Sequence, residues 1–377
     1  MSGTVILGQE HLEEIIRVFG RDHVMDLLMG RLTEALANTR AKTGQTPPRS
    51  GFVRCPQDSG VLEWMPHREP GRAVTIKTVA YTPTNPTSSN LPTILGAVSR
   101  FDDLTGRLVA VCDGVLLTAL RTGAASAIAS RLLAHPDSAV LGMVGAGAQA
   151  VTQVHALSRV LPLRQVLVYD VDRRRAADLA HRVAFTGVEV RVAETAEIEA
   201  SADVICTVTS VAIGAGPVLG GNGLKPHAHV NAVGSDLPGK TELPLALLRT
   251  AAVFPDHTAQ ALREGECQQL EEHGIGPELA DLCAEPELAR QYAGRLTVFD
   301  STGFALEDHV ALDVLLELAA DCGVGWQVQI EHLPGNAVDP YAFSMAAEAR
   351  AEKSSRPTPA GSPTSGRMTV GTAGGRG

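Results

Sequence analysis

The sequence predicts an α/β protein, in which a Rossmann-type doubly wound parallel sheet is joined to a smaller α+β domain. Three observations carry this. A short apolar strand runs straight into a glycine-rich turn, Leu141-Gly-Met-Val-Gly145-Ala-Gly147-Ala-Gln-Ala150. From about residue 139 to 300, apolar β segments alternate with helical ones, the cadence of a parallel sheet with crossover helices. Ahead of that, residues 48–112 hold successive strands separated by Pro/Gly turns, which implies an antiparallel or mixed sheet.

Taken in order, residues 10–40 read as helix, with Val24, Leu27, Leu28, Leu32 and Leu36 at helical spacing and a break at Gly20. Strands follow at 61–65, 73–79, 93–98 and 108–112. In the second of these, alternation puts Lys77 on one face with Thr75 and Val79, opposite Ile76 and Thr78. A helix rich in small residues covers 116–134. Parallel strands are expected at 139–144, 166–170, 188–192, 204–208, 230–234, 252–254 and 297–300. An amphipathic helix over 308–322 precedes a last strand, 326–330, that returns to the first domain. Residues 344–377 are dominated by Ser, Pro, Thr and Gly. They bury too little apolar surface to offset ordering entropy and read as a disordered tail. The expected domains are 1–120, completed by 308–343, and 121–307.

Composition excludes several classes. With a formal net charge of −10 over 377 residues and no basic stripe, the chain does not read as a nucleic-acid binder. The six cysteines are scattered with no Cys-x-x-Cys pair, so no metal site is expected and buried thiols in a reducing cytoplasm are. The N-terminus lacks a basic n-region, and the longest apolar stretch, 115–134, is interrupted by Arg121 and Arg131; neither a signal peptide nor a membrane span is expected.

The glycine turn has a specific chemistry. Gly145 permits the tight turn, Gly147 lets backbone approach a pyrophosphate, and Ala150 permits close helix–strand packing. The start of the following helix offers N–H groups to the anion, and Ala146, Ala148 and Gln149 belong to the same cofactor-binding turn. Asp170 closes the next strand, where a carboxylate accepts the ribose hydroxyls of an adenosine and repels a 2′-phosphate. That favours NAD over NADP, although Arg173 and Arg174 just beyond would soften the repulsion. Four further charges sit in awkward places: Arg49 after Pro47-Pro48, Glu63 and Lys77 within strands, and Arg121 within the small-residue helix. Singly, each also has an ordinary reading as a strand-edge or snorkelling charge. Asp236 differs, because it follows the 230–234 strand at its carboxyl end, where open α/β sheets bind ligands.

These residues also carry a resemblance. The segments Arg49-Ser-Gly-Phe, Thr75-Ile-Lys77-Thr, Leu91-Pro-Thr-Ile-Leu-Gly, Asp113-Gly-Val-Leu-Leu-Thr-Ala-Leu-Arg121-Thr-Gly-Ala-Ala-Ser, Gly145-Ala-Gly-Ala-Gln-Ala and Val233-Gly-Ser-Asp236-Leu-Pro-Gly-Lys-Thr-Glu-Leu-Pro are similar to those of the ornithine cyclodeaminase/μ-crystallin family. The resemblance covers residues 1 to about 341. Within the family, Glu63-Trp-Met-Pro-His-Arg-Glu-Pro-Gly, Glu264-Gly-Glu-Cys-Gln-Gln-Leu and Val298-Phe-Asp-Ser-Thr-Gly-Phe look most like its lysine-cyclising branch, which makes pipecolate for natural-product pathways.

The resemblance implies an NAD-dependent ammonia-lyase that oxidises a diamino acid, closes the ring and returns the hydride. Asp236 would be the proton acceptor and Glu63 would hold an amino group or a water. Arg49, Lys77 and Arg121 would fix the substrate carboxylate. Asn85, Thr93, Thr122, Ser301 and Thr302 would lie near the nicotinamide or phosphates. It further implies a homodimer built through the N-terminal sheet of the substrate-binding domain. Lysine and ornithine differ by one methylene, worth about 1–3 kcal/mol in a pocket, so the preference stays open at this level. An imine reductase or amino-acid dehydrogenase on the same scaffold, and a non-catalytic small-ligand binder, are the competing readings. The loop carboxylate Asp236 argues against the binder.

Overall fold

A computed structural model describes residues 3–39, 44–55 and 60–342, so the tail expected at 344–377 lies outside the described residues. The chain divides into a compact unit, 1–329, and a second unit, 330–377. Within the second, residues 330–342 form an irregular turn in which the Gly335 N–H donates to the Ala342 carbonyl at 2.9 Å.

Among its described residues the first unit holds fourteen strands. In chain order these are β1 (Thr4–Leu7), β2 (Ser50–Cys55), β3 (Gly60–Glu69), β4 (Ala73–Tyr81), β5 (Ile94–Asp102), β6 (Leu108–Asp113), β7 (Val140–Val144), β8 (Gln165–Tyr169), β9 (Glu189–Val192), β10 (Val204–Thr207), β11 (His229–Ala232), β12 (Ala252–Pro255), β13 (Thr297–Asp300) and β14 (Trp326–Val328). One sheet runs β14-β1-β6-β5-β4-β3-β2. It is mixed: β1 pairs parallel with β6, and the remaining pairs are antiparallel. β14 returns to β1, as the sequence suggests. The other sheet, β12-β13-β11-β10-β7-β8-β9, is parallel throughout. Strand order reverses between β7 and β10, which opens a crevice at their carboxyl ends.

Four helices pack the mixed sheet into the main core: Gln9–Phe19, Arg21–Ala37, Gly114–Leu133 and Ala305–Cys322. Gly20, at φ 81°, ends the first and starts the second, a backbone state that favours glycine. Val24, Met25, Leu28, Leu32 and Leu36 then line the buried face. In the Gly114–Leu133 helix, the Asp113 carboxylate caps the start by accepting from the Leu116 N–H at 3.0 Å. Its run of small residues has a packing cause. A Cβ on Gly123 would stand 2.6 Å from the Thr152 carbonyl oxygen, so the Ala148–Val160 helix approaches too closely for a side chain there. The expected domain boundary at 120/121 falls inside this continuous helix.

Candidate active site

The crevice is lined from both sheets. Arg49, Val61, Glu63, Met65, Lys77, Val79, Tyr81 and Ile94 come from the mixed sheet and its leading loop. Thr118, Arg121 and Thr122 come from the Gly114–Leu133 helix. Gln149 comes from the first turn of the Ala148–Val160 helix, and Val233, Asp236, Leu237, Ser301 and Thr302 come from loops at the carboxyl end of the parallel sheet. Alternation along β3 and β4 explains the first set: Val61, Glu63 and Met65 share one face, and Lys77, Val79 and Tyr81 share the same side of the neighbouring strand.

The three cations expected to hold a carboxylate do converge, each against a counter-ion. Lys77 Nζ lies 2.9 Å from Asp308 Oδ1 and 2.8 Å from Oδ2. Arg121 donates from Nη1 to Glu307 Oε2 at 2.7 Å and from Nε to Asp308 Oδ1 at 3.2 Å. Arg49 Nε is 2.7 Å from Glu264 Oε1, although out of line for a hydrogen bond, and Nη1 is 3.5 Å from Glu63 Oε2. Its Nη2 donates to the Thr302 and Gly303 carbonyls. Arg121 and Gly303 fit each other closely: a Cβ on Gly303, which sits at φ 75°, would stand 2.2 Å from Arg121 Nη1.

Burial sets the electrostatics. Desolvation, with the Arg121 charge nearby, brings the Lys77 ammonium down to about 8 even though Asp308 opposes the change. Desolvation pushes the Glu264 carboxyl up to about 7 against the pull of Arg49. It also raises Glu63 and Glu307. Asp236 stands at the mouth of the crevice and accepts from Lys240 Nζ at 2.8 Å, with the ammonium over the Tyr81 ring 5.0 Å from its centroid.

The nucleotide side is built mostly from backbone. Gly145 has φ 101°, and a Cβ on it would meet the Val208 carbonyl oxygen at 2.9 Å. Gly147 starts the Ala148–Val160 helix, and the space where its Cβ would stand is open to 4 Å. Asp170 Oδ2 accepts from the Ala146 N–H at 2.7 Å and Oδ1 from the Asp172 N–H at 2.8 Å, which fixes the carboxylate beside the turn with lone pairs to spare. Buried hydroxyls of Thr118, Thr207 and Ser301 have no partner among the described residues. Thr207 ends β10 and Ser301 follows β13, both at the carboxyl end of the parallel sheet, and Thr118 and Ser301 line the cavity, where a polar ligand would meet them. An open loop, a helix N-terminus, a fixed acid and orphaned hydroxyls fit a dinucleotide.

A family model described as "Ornithine cyclodeaminase/mu-crystallin family" matches residues 10–322. The chain belongs to that family. An L-lysine cyclodeaminase of Streptomyces rapamycinicus is 51% identical over 341 residues, spanning 90% of this chain and 99% of its own. The structure of a lysine cyclodeaminase, solved to explain recognition of L-lysine, L-ornithine and L-2,4-diaminobutyric acid, superposes with a TM-score of 0.89 at 57% identity. It covers 90% of this chain and 99% of the other. An archaeal alanine dehydrogenase dimer with bound NAD superposes at 0.76, with 30% identity over 87% and 99% of the two chains.

Within this family member, the structure gathers Arg49, Glu63, Lys77, Arg121, Thr122, Gln149, Asp236, Ser301 and Thr302 around one cavity. Gly145, Ala146, Gly147, Ala148 and Asp170 lie together at the adjoining turn. Asn85 and Thr93 do not line the cavity. They sit in the segment leading into β5, where the Asn85 amide donates to the Pro92 carbonyl at 3.0 Å. The sequence reading passed over Glu264, Glu307 and Asp308, whose partners are remote in the chain, and Lys240, which pairs with Asp236 four positions before it. It also passed over Arg182, which donates to the Ala146 and Gly147 carbonyls at 2.8 and 3.2 Å and braces the turn. Among the described residues no cluster fits a metal ion, and no helix is long and apolar enough to cross a membrane.

Proposed function

We propose that this protein is an NAD-dependent L-lysine cyclodeaminase that converts L-lysine to L-pipecolate and ammonia. The observation that carries the reading is the meeting of Arg49, Lys77, Arg121, Glu63 and Asp236 in one cavity beside the Gly145–Gln149 turn. The identity to a lysine cyclodeaminase over nearly the whole of that chain supports the substrate assignment.

The chain's own residues have defined work. The three cations orient the substrate carboxylate, two of them through planar guanidinium groups. With the carboxylate fixed, the α-amine points towards Asp236, which takes its proton so that the neutral amine can release hydride from Cα. Glu63, beside Arg49, holds an amino group or an ordering water. Val61, Met65, Val79 and Ile94 line the cavity with apolar surface along which a methylene chain packs. Bound NAD supplies the hydride acceptor for the first half of the reaction and the donor for the second. After the ε-amine closes on Cα, Asp236 returns the proton with which the α-nitrogen leaves as ammonia. The cofactor would be held by the Gly145, Ala146, Gly147, Ala148 and Gln149 turn, by Asp170, and by Thr122, Ser301 and Thr302, with Asn85 and Thr93 shaping the loop beside them.

Residues 1–120 with the returning strand would form the substrate and dimerisation domain, and 121–307 the NAD domain. A homodimer is supported by the outer face of the mixed sheet. Phe52 (64% exposed) and Trp64 (37%) stack edge to face with centroids 5.4 Å apart, and Val109 is exposed on the same sheet. The free thiols of Cys112, Cys206, Cys267, Cys283 and Cys322 suit a reducing cytoplasm.

Incubation of the protein with L-lysine and substoichiometric NAD tests the reading. Ammonia and pipecolate in excess of the cofactor are expected, and lysine deuterated at Cα should keep its label at that carbon. Stoichiometric gain of absorbance at 340 nm would instead identify a dehydrogenase, and loss of the deuterium would overturn hydride return.

A further inference from the structure

We infer that Asp308 is a positioning residue that makes Lys77 and Arg121 act as a single anion cradle, so that a substrate carboxylate meets two cations already held together. This rests on the reading above, in which those cations receive the carboxylate. Lys77 comes from β4 and Arg121 from the Gly114–Leu133 helix, 44 positions apart in the chain. Both are buried, at 1% and 5% exposure, and like charges this enclosed repel. Asp308, fully buried in the first turn of the Ala305–Cys322 helix, is the group they share: both of its oxygens lie within 3 Å of Lys77 Nζ, and Oδ1 also accepts from Arg121 Nε. An acid in a first turn ordinarily answers the helix dipole. Here its side chain is aimed at two cations from other elements.

The surroundings explain why one shared carboxylate is needed. Facing Lys77 are Asp308 from the final helix, Arg121 from the Gly114–Leu133 helix, Arg49 from the loop before β2 and Glu63 from β3. Facing Arg121 are Asp308 and its neighbour Glu307, Asp256 from just after β12, and the like charge of Arg49. Glu63 and Glu264 serve Arg49, and Glu307 contacts Arg121 alone, so Asp308 is the carboxylate that bridges the pair. Even with this partner, burial and the Arg121 charge leave Lys77 easier to deprotonate than an ordinary lysine. Asp308→Asn would leave the two cations facing each other, and Lys77 would lose its proton at lower pH. The cradle would then hold one charge where it needs two.

The test reads Lys77 directly. The chain has five lysines, so ¹³C-lysine-labelled protein gives few enough signals to follow Lys77 through a pH titration. In the wild type its midpoint should fall near 8. In Asp308→Asn it should drop by about one unit or more, as expected on losing an adjacent opposite charge. In steady-state assays the same variant should raise KM for lysine roughly tenfold or more while kcat changes much less, because the lost interaction serves binding. The alkaline limb of kcat/KM should move to lower pH with the Lys77 midpoint. Asp308→Glu keeps the charge but alters its reach: it should raise KM while leaving the Lys77 midpoint near that of the wild type, and it carries the test if the amide variant does not fold. A folded Asp308→Asn protein with unchanged Lys77 titration, or an Asp308→Glu protein with unchanged KM, would overturn the inference. The titration needs no substrate, so failure of the wild type to turn over lysine would sink the functional reading while the titration still decides whether Asp308 sustains the charge on Lys77.

Discussion

The two walls of the crevice are made from different materials. On the nucleotide wall the recognition surface is main chain: a turn opened by Gly145 and Gly147, the first N–H groups of the Ala148–Val160 helix, and one acid, Asp170, fixed beside them. On the substrate wall it is side chain, with Arg49, Glu63, Lys77, Arg121 and Asp236 drawn from five separate segments and braced by carboxylates from two more. A diphosphate is the same in every relative that binds it, so geometry-bound backbone suffices. A substrate that must be oriented for proton transfer at one atom needs charges placed individually. Single side-chain replacements should therefore damage the substrate wall far more than the nucleotide wall.

Asp236→Asn is the sharpest test of that contrast. The amide keeps the shape but cannot take the amine proton, so ammonia release should fall by about 10²–10⁴-fold with NAD binding retained. Measuring both on one preparation separates the walls, and near-normal turnover would remove Asp236 from the chemistry. Next in size, Arg121→Ala and Lys77→Ala should raise KM for lysine roughly ten- to a hundredfold, the worth of hydrogen bonds to a charged group. Gly303→Ala should act in the same direction at a distance, since its methyl would intrude on the Arg121 guanidinium and its backbone favours glycine. If calorimetry found lysine binding by Gly303→Ala unchanged, the packing of Arg121 on that residue would not matter to the substrate. On the other wall, Asp170→Ala should weaken NAD by about tenfold or less and narrow its preference over NADP, because the turn and helix remain. A loss as large as that in Asp236→Asn would break the comparison.

The smallest effect is on stability. Burial, with the Asp300 charge, raises the Glu266 carboxyl to about 8, and burial raises Asp300 to about 7. Unfolded, both would titrate near about 4. Between those limits the folded state binds more protons, so the stability these groups contribute is complete below about pH 4 and is lost as pH rises towards 8. Tm should fall across that window, and Glu266→Gln should flatten the slope. A Tm that stays level or rises between pH 5 and 8 would contradict the assignment.

The contrast between the walls also sets what a reader of the sequence can find. Strands β7, β8, β10, β11 and β13, the Gly145 turn and Asp170 are local patterns: apolar runs, glycines at fixed offsets, an acid at a strand end. Lys77 and Glu63 are visible as charges interrupting β periodicity. Asp308 and Glu307 are not, because two acids in a first helical turn are what the helix dipole favours anyway. Their pairing with cations some 190–230 residues away depends on how the Ala305–Cys322 helix docks. Glu264 and Lys240 lie in or beside loops where a charge is ordinary. Arg182 sits on a helix between β8 and β9, and nothing local marks it as a brace for the Gly145 turn.

The Gly114–Leu133 helix carries Arg121 and Thr122 at consecutive positions, and both line the same cavity. It is capped from β6 and pressed through Gly123 onto the helix that follows the Gly145 turn. Anyone recombining relatives to trade substrate ranges would be drawn to cut the gene at the change from mixed to parallel sheet, inside this helix. Such a hybrid would draw the two ends of this rod from different parents. A crossover after residue 133 passes the rod on whole but takes Thr152, Glu307 and Asp308 from the other parent, so those hybrids should stay active where the two parents agree at these partners.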